Sequence, residues 1–345
     1  MKFSALQEFD SSIKLVFGEA ELINVEGISH SDNPEENKFI FIKSSKFLKN
    51  IGRRSSKDSY PNSGIVFDCK YYESLSENQL KDISSLFSWG ATVKSIDQSM
   101  CKLSKPFYDL LHEDLNYQVD GRQFNNAIID PTAQISQNVF IGENVKIGKN
   151  TKILPGCTIL SEVEIGENNI IFPNVTIYPY TTIGSNNRIH AGTVIGTDGF
   201  GYNFYDGKHN KIWHLSGVKI GNDVEIGCNS MIDSGAFIAT QIDDGTKIDN
   251  DVQISHNVWV KKNVVICGKT GLAGSVEVDD YCGFGAGAGV APSARLEQGV
   301  QVAARAVVSE NAHIKSGQVV AGHPARPLKE WMRSQATLRR LAKNK

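Results

Sequence analysis

The chain lacks any run of eighteen consecutive apolar residues, so no transmembrane helix is expected. Its opening stretch, Met1 to Asp10, holds no apolar run long enough for a signal peptide, and a cytoplasmic location is expected. Charge of one sign is not in excess: 36 Lys and Arg stand against 38 Asp and Glu. That balance gives no hint of nucleic-acid binding. The six cysteines, at 69, 101, 157, 228, 267 and 282, form no Cys-x-x-Cys pair. They read as buried thiols, with a disulfide framework or a zinc site as the alternative. Proline is sparse at 10 while glycine is plentiful at 31, a bias toward turns rather than disorder. With 345 residues, 40% of them hydrophobic, there is room for two domains and a substantial core.

What the chain does have is a six-residue period. Isoleucine occupies 129, 135, 141, 147, 153, 159, 165, 171, 177, 183, 189 and 195, twelve consecutive hits. A second frame holds Ile220, Ile226, Ile232 and Ile238. A third runs from Ile242 to Val320 and includes Ile248, Ile254, Val260, Ile266 and Leu272. Small or β-branched residues stand two positions ahead of the isoleucines: Ala133, Val139, Val145, Thr151, Cys157 and Val163. A period of six matches neither a helix, near 3.6, nor an alternating strand, at 2. Hexapeptide repeats instead build a parallel β-helix. Each hexapeptide makes one short strand and a turn with its aliphatic residue inward, and three close a coil of eighteen residues. Successive coils pair their backbones about 4.8 Å apart, so the inward residues stack into three apolar columns. Gly, Asn and Asp around each strand, as in Ile141-Gly142-Glu143-Asn144, supply turns that need positive φ. An Ile-rich β-sandwich is the alternative, and thirty in-frame hits argue against it.

Runs of Ile-Gly-x-x-Val/Thr-x resemble the hexapeptide-repeat acyltransferases, whose helix is left-handed, an exception to the usual crossover rule. The resemblance implies a mainly β fold: a left-handed parallel β-helix over 129–322, with a small N-terminal α/β domain and a C-terminal α-helix. Residues 1–105 carry no hexad pattern, and short apolar runs such as Phe39-Ile40-Phe41-Ile42 alternate there with possible helices such as Glu77–Phe87. Residues 106–128 read as a linker in which Pro106 starts a short helix reaching about Asn116. The period breaks over 197–217, where a Gly- and aromatic-rich insertion leaves the coils, either to bind a ligand or as a plain surface excursion. Gly322-His323-Pro324-Ala325-Arg326-Pro327 ends the coils. In 323–345, Leu328 to about Lys343 then reads as a basic helix, facing an acidic partner or solvent through Lys329, Arg333, Arg339, Arg340 and Lys343.

Of the eight histidines, seven, His214 among them, take ordinary structural readings. His256 differs. It stands two residues after the inward Ile254, so it projects from a corner of the coil. Asp249, Asn250, Gln253 and Asn257 surround it in sequence. Gly274 follows one eighteen-residue coil later, which sets its backbone beside His256. Acyl transfer to an amine needs a base for the nitrogen and a donor for the developing oxyanion. A neutral imidazole suits the first role and a glycine N–H the second. A surface histidine above an ordinary turn is the other reading of the same spacing. A γ-class carbonic anhydrase, which shares the fold, needs about three converging ligands for zinc, and no histidine set lies at coil spacing; no metal is expected.

Three segments carry a narrower resemblance: Gly196-Thr197-Asp198-Gly199-Phe200-Gly201-Tyr202, Ile248-Asp249-Asn250 through Gln253-Ile254-Ser255-His256-Asn257-Val258, and Ala273-Gly274-Ser275. They are similar to the LpxD family, the UDP-3-O-(3-hydroxyacyl)glucosamine N-acyltransferases of lipid A synthesis. The ending Gly322-His323-Pro324-Ala325 through Glu330-Trp331 and Arg333 resembles the same family. The resemblance implies His256 as general base and Gly274 as oxyanion donor. Beside them, Asp249 is expected to orient or charge-tune His256, and Gln253 and Asn257 to shape the site. It implies a uridine-binding N-terminal domain using Phe41 and Phe47. It further implies a homotrimer, acyl carrier protein as partner, its 4'-phosphopantetheine thioester as donor, and no other cofactor. The chain also departs from the family pattern. Phe-x-x-Asn-x-x-Tyr reads here Phe41 through Ser44 to Phe47, so the amide and the phenol hydroxyl are missing, which opens nucleotide affinity and identity. Ser293 stands at a second family histidine, and Ala303-Ala304-Arg305-Ala306 replaces a Gly-rich acyl groove. A nucleotide-amino-sugar acyltransferase using a coenzyme A thioester, and a non-catalytic paralogue, remain alternatives.

Overall fold

Two regular structures meet in the computed structural model, which describes residues 1–343 apart from 56, 58, 116, 118 and 323–326, and gives Lys343 by its backbone alone. The N-terminal part is a sheet of five strands: β1 (Lys14–Phe17), β2 (Gly27–Ile28), β3 (Lys38–Ile42), β4 (Tyr60–Asp68) and β5 (Phe87–Val93). Their order is β1-β5-β4-β3-β2, with β1 antiparallel and the others parallel. Successive strand side chains point to opposite faces. In β3, Phe39 and Phe41 pack with Trp89 on one face, while Ile40 and Ile42 pack with Phe67 and Phe87 on the other. Both faces are covered, as expected for parallel strands.

The helix Glu77–Leu86 opens with a capping box between Ser76 and Gln79. A longer helix, Ile96–His112, opens at Ser95, whose hydroxyl accepts from the Gln98 N–H. The expected helix start at Pro106 is therefore corrected: Pro106 lies buried inside the helix. The Ser-x-x-Gln cap at Ser95, eleven residues earlier, satisfies an orphan N–H group, which a proline at the first position only avoids having. Asn116, the expected end of that linker, lies outside the described residues.

From Ile128 to Val320 the chain winds through three parallel sheets of ten, nine and ten strands. Away from two excursions each strand pairs with the one eighteen residues on, as in Ile135↔Ile153↔Ile171; across the excursions the spacing widens, to 37 residues in Ile189↔Ile226 and 22 in Ile232↔Ile254. Backbone N–H groups donate straight along the stack, Leu154 to Ile171 at 2.9 Å and Phe172 to Ile189 at 2.8 Å. The aliphatic columns and the residues two ahead of them, Val139, Val145, Cys157 and Val163, form one dry core. Polar residues at the same corners are satisfied as a ladder: Asn187 Nδ2 donates to the Gly221 carbonyl at 3.0 Å, and its Oδ1 accepts from Val224 N–H at 2.7 Å.

The turn chemistry is divided more sharply than composition suggested. Asn144, Asn150 and Asn168 hold φ near +57°, a region Asn tolerates. Gly148 instead permits close approach, since a Cβ there would lie 2.7 Å from the Gly166 carbonyl carbon in the next coil.

Two segments leave the coils. The first, within 197–217, folds as a hairpin, Tyr202–Tyr205 against Lys208–Lys211, and rests on the long helix through Asn203 Nδ2 to the Asp97 carbonyl at 2.8 Å. The second is a short loop around Ser234–Ala239, which corrects the placement of Ile238 in an inward column. Ile232 pairs with Ile254 and Ile242 with Val260, so Ile238 belongs to the loop between them. Ala236 and Phe237 of this loop join the hydrophobic core of the N-terminal sheet. Cys101, Cys157 and Cys282 are buried thiols, whereas Cys69, Cys228 and Cys267 are half-exposed, a correction to the expected burial of all six. Past the coils, His323 through Arg326 lie outside the described residues, and the helix Leu328–Lys343 follows. Among the described residues no helix is long and apolar enough to cross a membrane.

Ile171, fully buried in its column, tests the stacking. Truncation to Ala should cost about 2–5 kcal/mol, measured as a lowered denaturation midpoint against the wild-type chain.

Candidate active site

Register alone brings two of the expected residues together. Gln253–Ile254 pairs in parallel with Gly271–Leu272, so His256 and Gly274, each two residues beyond its inward aliphatic, occupy the same corner on adjacent coils. Ser275 N–H donates to the His256 carbonyl at 3.0 Å. A Cβ on Gly274 would sit 2.6 Å from His256 Cε1 and 2.7 Å from Nε2. Glycine is the residue that lets the imidazole approach this backbone so closely. Among the described residues, no acceptor takes the Gly274 N–H.

The tautomer of His256 follows from its neighbour. Asn257, buried and left-handed at φ 64°, accepts the Ala236 N–H on Oδ1 at 3.2 Å and donates Nδ2 to the Ile238 carbonyl at 3.4 Å. Two backbone groups thus fix which end of the amide is oxygen. That oxygen also lies 2.8 Å from His256 Nδ1, so Nδ1 carries the proton. In the neutral ring the lone pair is then on Nε2, which stands beside Gly274.

The remaining expected residues separate. Gln253 Nε2 donates to Asp233 Oδ1 at 3.1 Å. Burial pushes the Asp233 carboxyl up from its ordinary value, against the opposing pull of the Gln253 hydrogen bond and of His256. Asp249 does not reach His256, and its expected orienting role is corrected. Its carboxylate closes its own turn, accepting from Asn250 N–H at 2.8 Å and from Gly268 N–H at 2.8 Å. Seven residues exceed one side of the coil, so Asp249 and His256 stand at different corners. Phe41, expected to bind substrate, is buried between Phe39 and Phe237. Phe47 lines the cavity beside His256.

That cavity, of about 460 Å³, lies between the N-terminal sheet and the coils. Lys46 Nζ reaches across to Asn311 Oδ1 at 3.0 Å. On one wall Arg53, Arg54, Asp32 and Glu277 form an ion cluster. Glu277 accepts from Arg53 Nη1 at 2.7 Å and Arg54 Nη2 at 2.8 Å, and Arg53 also holds Asp32 at 2.5 Å. Burial would raise the Glu277 carboxyl, but the arginines outweigh it and hold it at about 2. Arg54 lies over the Trp259 ring, 4.5 Å from its centre.

His214 was not singled out by sequence. It packs edge-on to His256, ring centres 5.3 Å apart, beneath the insertion loop: a Cβ on Gly199 would lie 2.7 Å from His256 Cβ and 2.9 Å from His214 Nε2. Burial, then the neighbouring His256, lowers His214 to about 4, so it stays neutral near pH 7. Its only sequence signal is a histidine in the insertion four residues before the coils resume at Val218.

Comparison with known proteins adds a family context. The GMPPB C-terminal domain family matches residues 123–199, within the hexapeptide coils. A relative from Rhodopseudomonas palustris, named UDP-3-O-acylglucosamine N-acyltransferase 2, is 40% identical over 154 residues, 45% of this chain and 41% of its own. One from Helicobacter hepaticus, named UDP-3-O-acylglucosamine N-acyltransferase, is 45% identical over 157 residues, 45% of this chain and 47% of its own. The matched stretch thus spans under half the length of these curated relatives. Among solved structures, LpxA from Bacteroides fragilis covers 58% of this chain and 71% of its own, at 24% identity and a TM-score of 0.42. The UDP-N-acetylglucosamine acyltransferase of Francisella novicida covers 61% and 72%, at 25% identity and a TM-score of 0.37. The β-helix itself rests on the strand register of this chain.

His214 makes stability pH-dependent in a stated direction. The unfolded chain takes up a proton near pH 6.5 that the folded chain refuses until about 4, so this residue lowers stability on acidification through that window. His214→Gln should flatten the stability curve between pH 6.5 and 4, read as denaturation midpoints at several pH values. An unchanged slope would contradict the assignment.

Proposed function

We propose that the chain transfers a 3-hydroxyacyl group from acyl carrier protein to the 2-amine of a UDP-3-O-acyl-glucosamine, a step of lipid A biosynthesis. One observation carries this reading: a cavity-lining imidazole, fixed in tautomer, whose Nε2 stands beside an uncommitted glycine N–H. The amine nitrogen attacks the thioester carbonyl while His256 Nε2 takes its proton. Gly274 N–H donates to the oxyanion that forms. The tetrahedral intermediate collapses, the C–S bond breaks, and the proton on His256 passes to the departing pantetheine thiolate. No metal and no acyl-enzyme enter this scheme. Asn257 holds His256 in the required tautomer, much as a carboxylate does in other His-dependent sites.

The donor, the homotrimer and the cytoplasmic location are parts of the same proposal. The names of the relatives support the amino-sugar acceptor. Lys329, Arg333, Arg339 and Arg340, all exposed on the helix Leu328–Lys343, suit an acidic carrier protein.

His256→Ala should fold normally and lose about 10²–10⁴-fold in N-acylation rate, followed by mass spectrometry of the product. A variant acylating at the full rate would end the mechanism. Gly274→Ala keeps the N–H but drives a methyl into the imidazole, and a misplacement of that size costs about 10²-fold in turnover. Comparing acyl carrier protein with short acyl-CoA donors in the same assay identifies the donor.

A further inference from the structure

His214 is buried beside the reaction corner, and the reaction as proposed gives it no part. It is 3% exposed, yet neither Nδ1 nor Nε2 has a hydrogen-bond partner among the described residues. Buried polar atoms without a partner are costly. The ring is pinned from both flanks: Trp213 N–H donates to Ser104 Oγ of the long helix at 3.1 Å, and Leu215 N–H to the Ala236 carbonyl at 2.8 Å. Between those anchors it forms a partition. On one side lies the cavity that holds His256, and on the other a second cavity of about 190 Å³, between the long helix, the insertion and the coils. Tyr108, Thr197, Asp198 and Ser234 line the second cavity, which is polar and roomy enough for several waters. The Asp198 side chain is 28% exposed, which joins this cavity to bulk solvent.

The ring also meets the reactive side of its neighbour. A Cβ on Gly199 would lie 2.9 Å from His214 Nε2 and 3.0 Å from His256 Cδ2. Cδ2 is bonded to Nε2, so His214 approaches His256 on the side of its reactive nitrogen, not of the Nδ1 that Asn257 holds. With ring centres 5.3 Å apart, a proton can pass between them across one water. An imidazole relays a proton by accepting on one nitrogen and releasing from the other, and in His214 both nitrogens are free to do so.

An aliphatic amine arrives near neutral pH largely as its ammonium, and attack on a thioester needs the free base. One proton must therefore leave before the carbon–nitrogen bond forms, while the bound acceptor occupies the first cavity. We propose that His214 and the cavity behind it carry that proton away. This rests on the acceptor being an amine, as the proposed function has it. His256 Nε2 takes the proton from the ammonium, leaving the free amine and an imidazolium. The imidazolium passes it to one ring nitrogen of His214 as the other nitrogen releases its own proton to water in the second cavity, from which it leaves past Asp198. His256 is then neutral again for the attack, and the proton lost during attack still goes to the thiolate. Exchange with water between turnovers returns His214 to its first tautomer. Burial, then the neighbouring His256, holds His214 at about 4, so the proton passes through and does not rest there. The titratable groups facing it are His256, Tyr178 and Tyr180 from the coils, Asp198 and Lys211 from the insertion, and Tyr108 and His112 from the long helix.

N-acylation rates at saturating substrate, measured at two pH values, test the relay. His214→Gln keeps hydrogen-bonding groups in place but cannot hand a proton on. At about pH 6.5, where the acceptor is ammonium, this variant should be slower than wild type by about tenfold or more. At about pH 9, where much of the acceptor is already free base, it should run within about twofold of wild type. A ring needed only for packing would give the same defect at both. Asp198→Asn, at a partly exposed position, should show the same pattern and keeps the test valid should His214→Gln unfold. A folded variant matching wild type at the lower pH, or a defect of equal size at both, would overturn the relay and leave the reaction intact. A wild-type chain that acylates no amino sugar would sink the reaction, and the relay with it.

Discussion

Everything in this protein hangs on the eighteen-residue register between neighbouring coils. Backbone N–H and C=O groups are obligatory hydrogen-bonding groups, and in the coils they are satisfied from one coil to the next. Because each coil strand is only two to four residues long, no single pairing is strong. The stack is held by repetition and by the aliphatic columns inside it. A slip of one residue would turn every inward isoleucine outward. The same constraint that locks the core therefore fixes which outer residues are neighbours. His256 and Gly274 are a by-product of that locking: their adjacency needs no loop to be positioned and no side chain to reach.

A uniform prism, however, has no cavity. The pocket exists because the chain leaves the register twice and because a separate sheet docks where it does so. The loop around Ser234–Ala239 sends Phe237 into the N-terminal core while the backbone at Ala236 and Ile238 grips Asn257. Docking of the domain and the tautomer of His256 are thus consequences of one loop. The insertion of 197–217 adds a cover, with Gly199 pressed on both imidazoles. Rigid coils below and irregular backbone above is the division of labour expected where binding residues sit on loops carried by a stiff scaffold.

How far the sequence could be read follows from this division. The columns were legible because a six-residue period has few competing explanations, and the His256–Gly274 pair because eighteen is a multiple of that period. Failures cluster where sequence distance stops measuring spatial distance. Asp249 lies near His256 in sequence, yet one side of a coil separates them. Ile238 keeps the six-residue spacing from Ile232 but belongs to a loop. Pro106 suggested a helix start, when Ser95 and Gln98 carried the stronger cap. Phe39-Ile40-Phe41-Ile42 gives no sign of which ring stays accessible, since both faces of β3 are buried. The contact of Arg53 with Glu277 spans 224 residues, and nothing local announces it.

The cavity combines two electrostatic environments that would interfere if mixed. Around His256 burial disfavours charge: it lowers His214 to about 4, so that His214 is uncharged near pH 7, and it raises the Asp233 carboxyl from its ordinary value. Across the wall, charges are concentrated and mutually held, and Glu277 remains ionised even at strongly acidic pH. A buried ion cluster of this kind is weak evidence for stability, because desolvation offsets much of the attraction. Its effect on chemistry is easier to argue. A surplus of cations disfavours the protonated form of a nearby amine, and an ammonium has no lone pair with which to attack a thioester. A neutral imidazole needs to remove a proton only as the carbon–nitrogen bond forms.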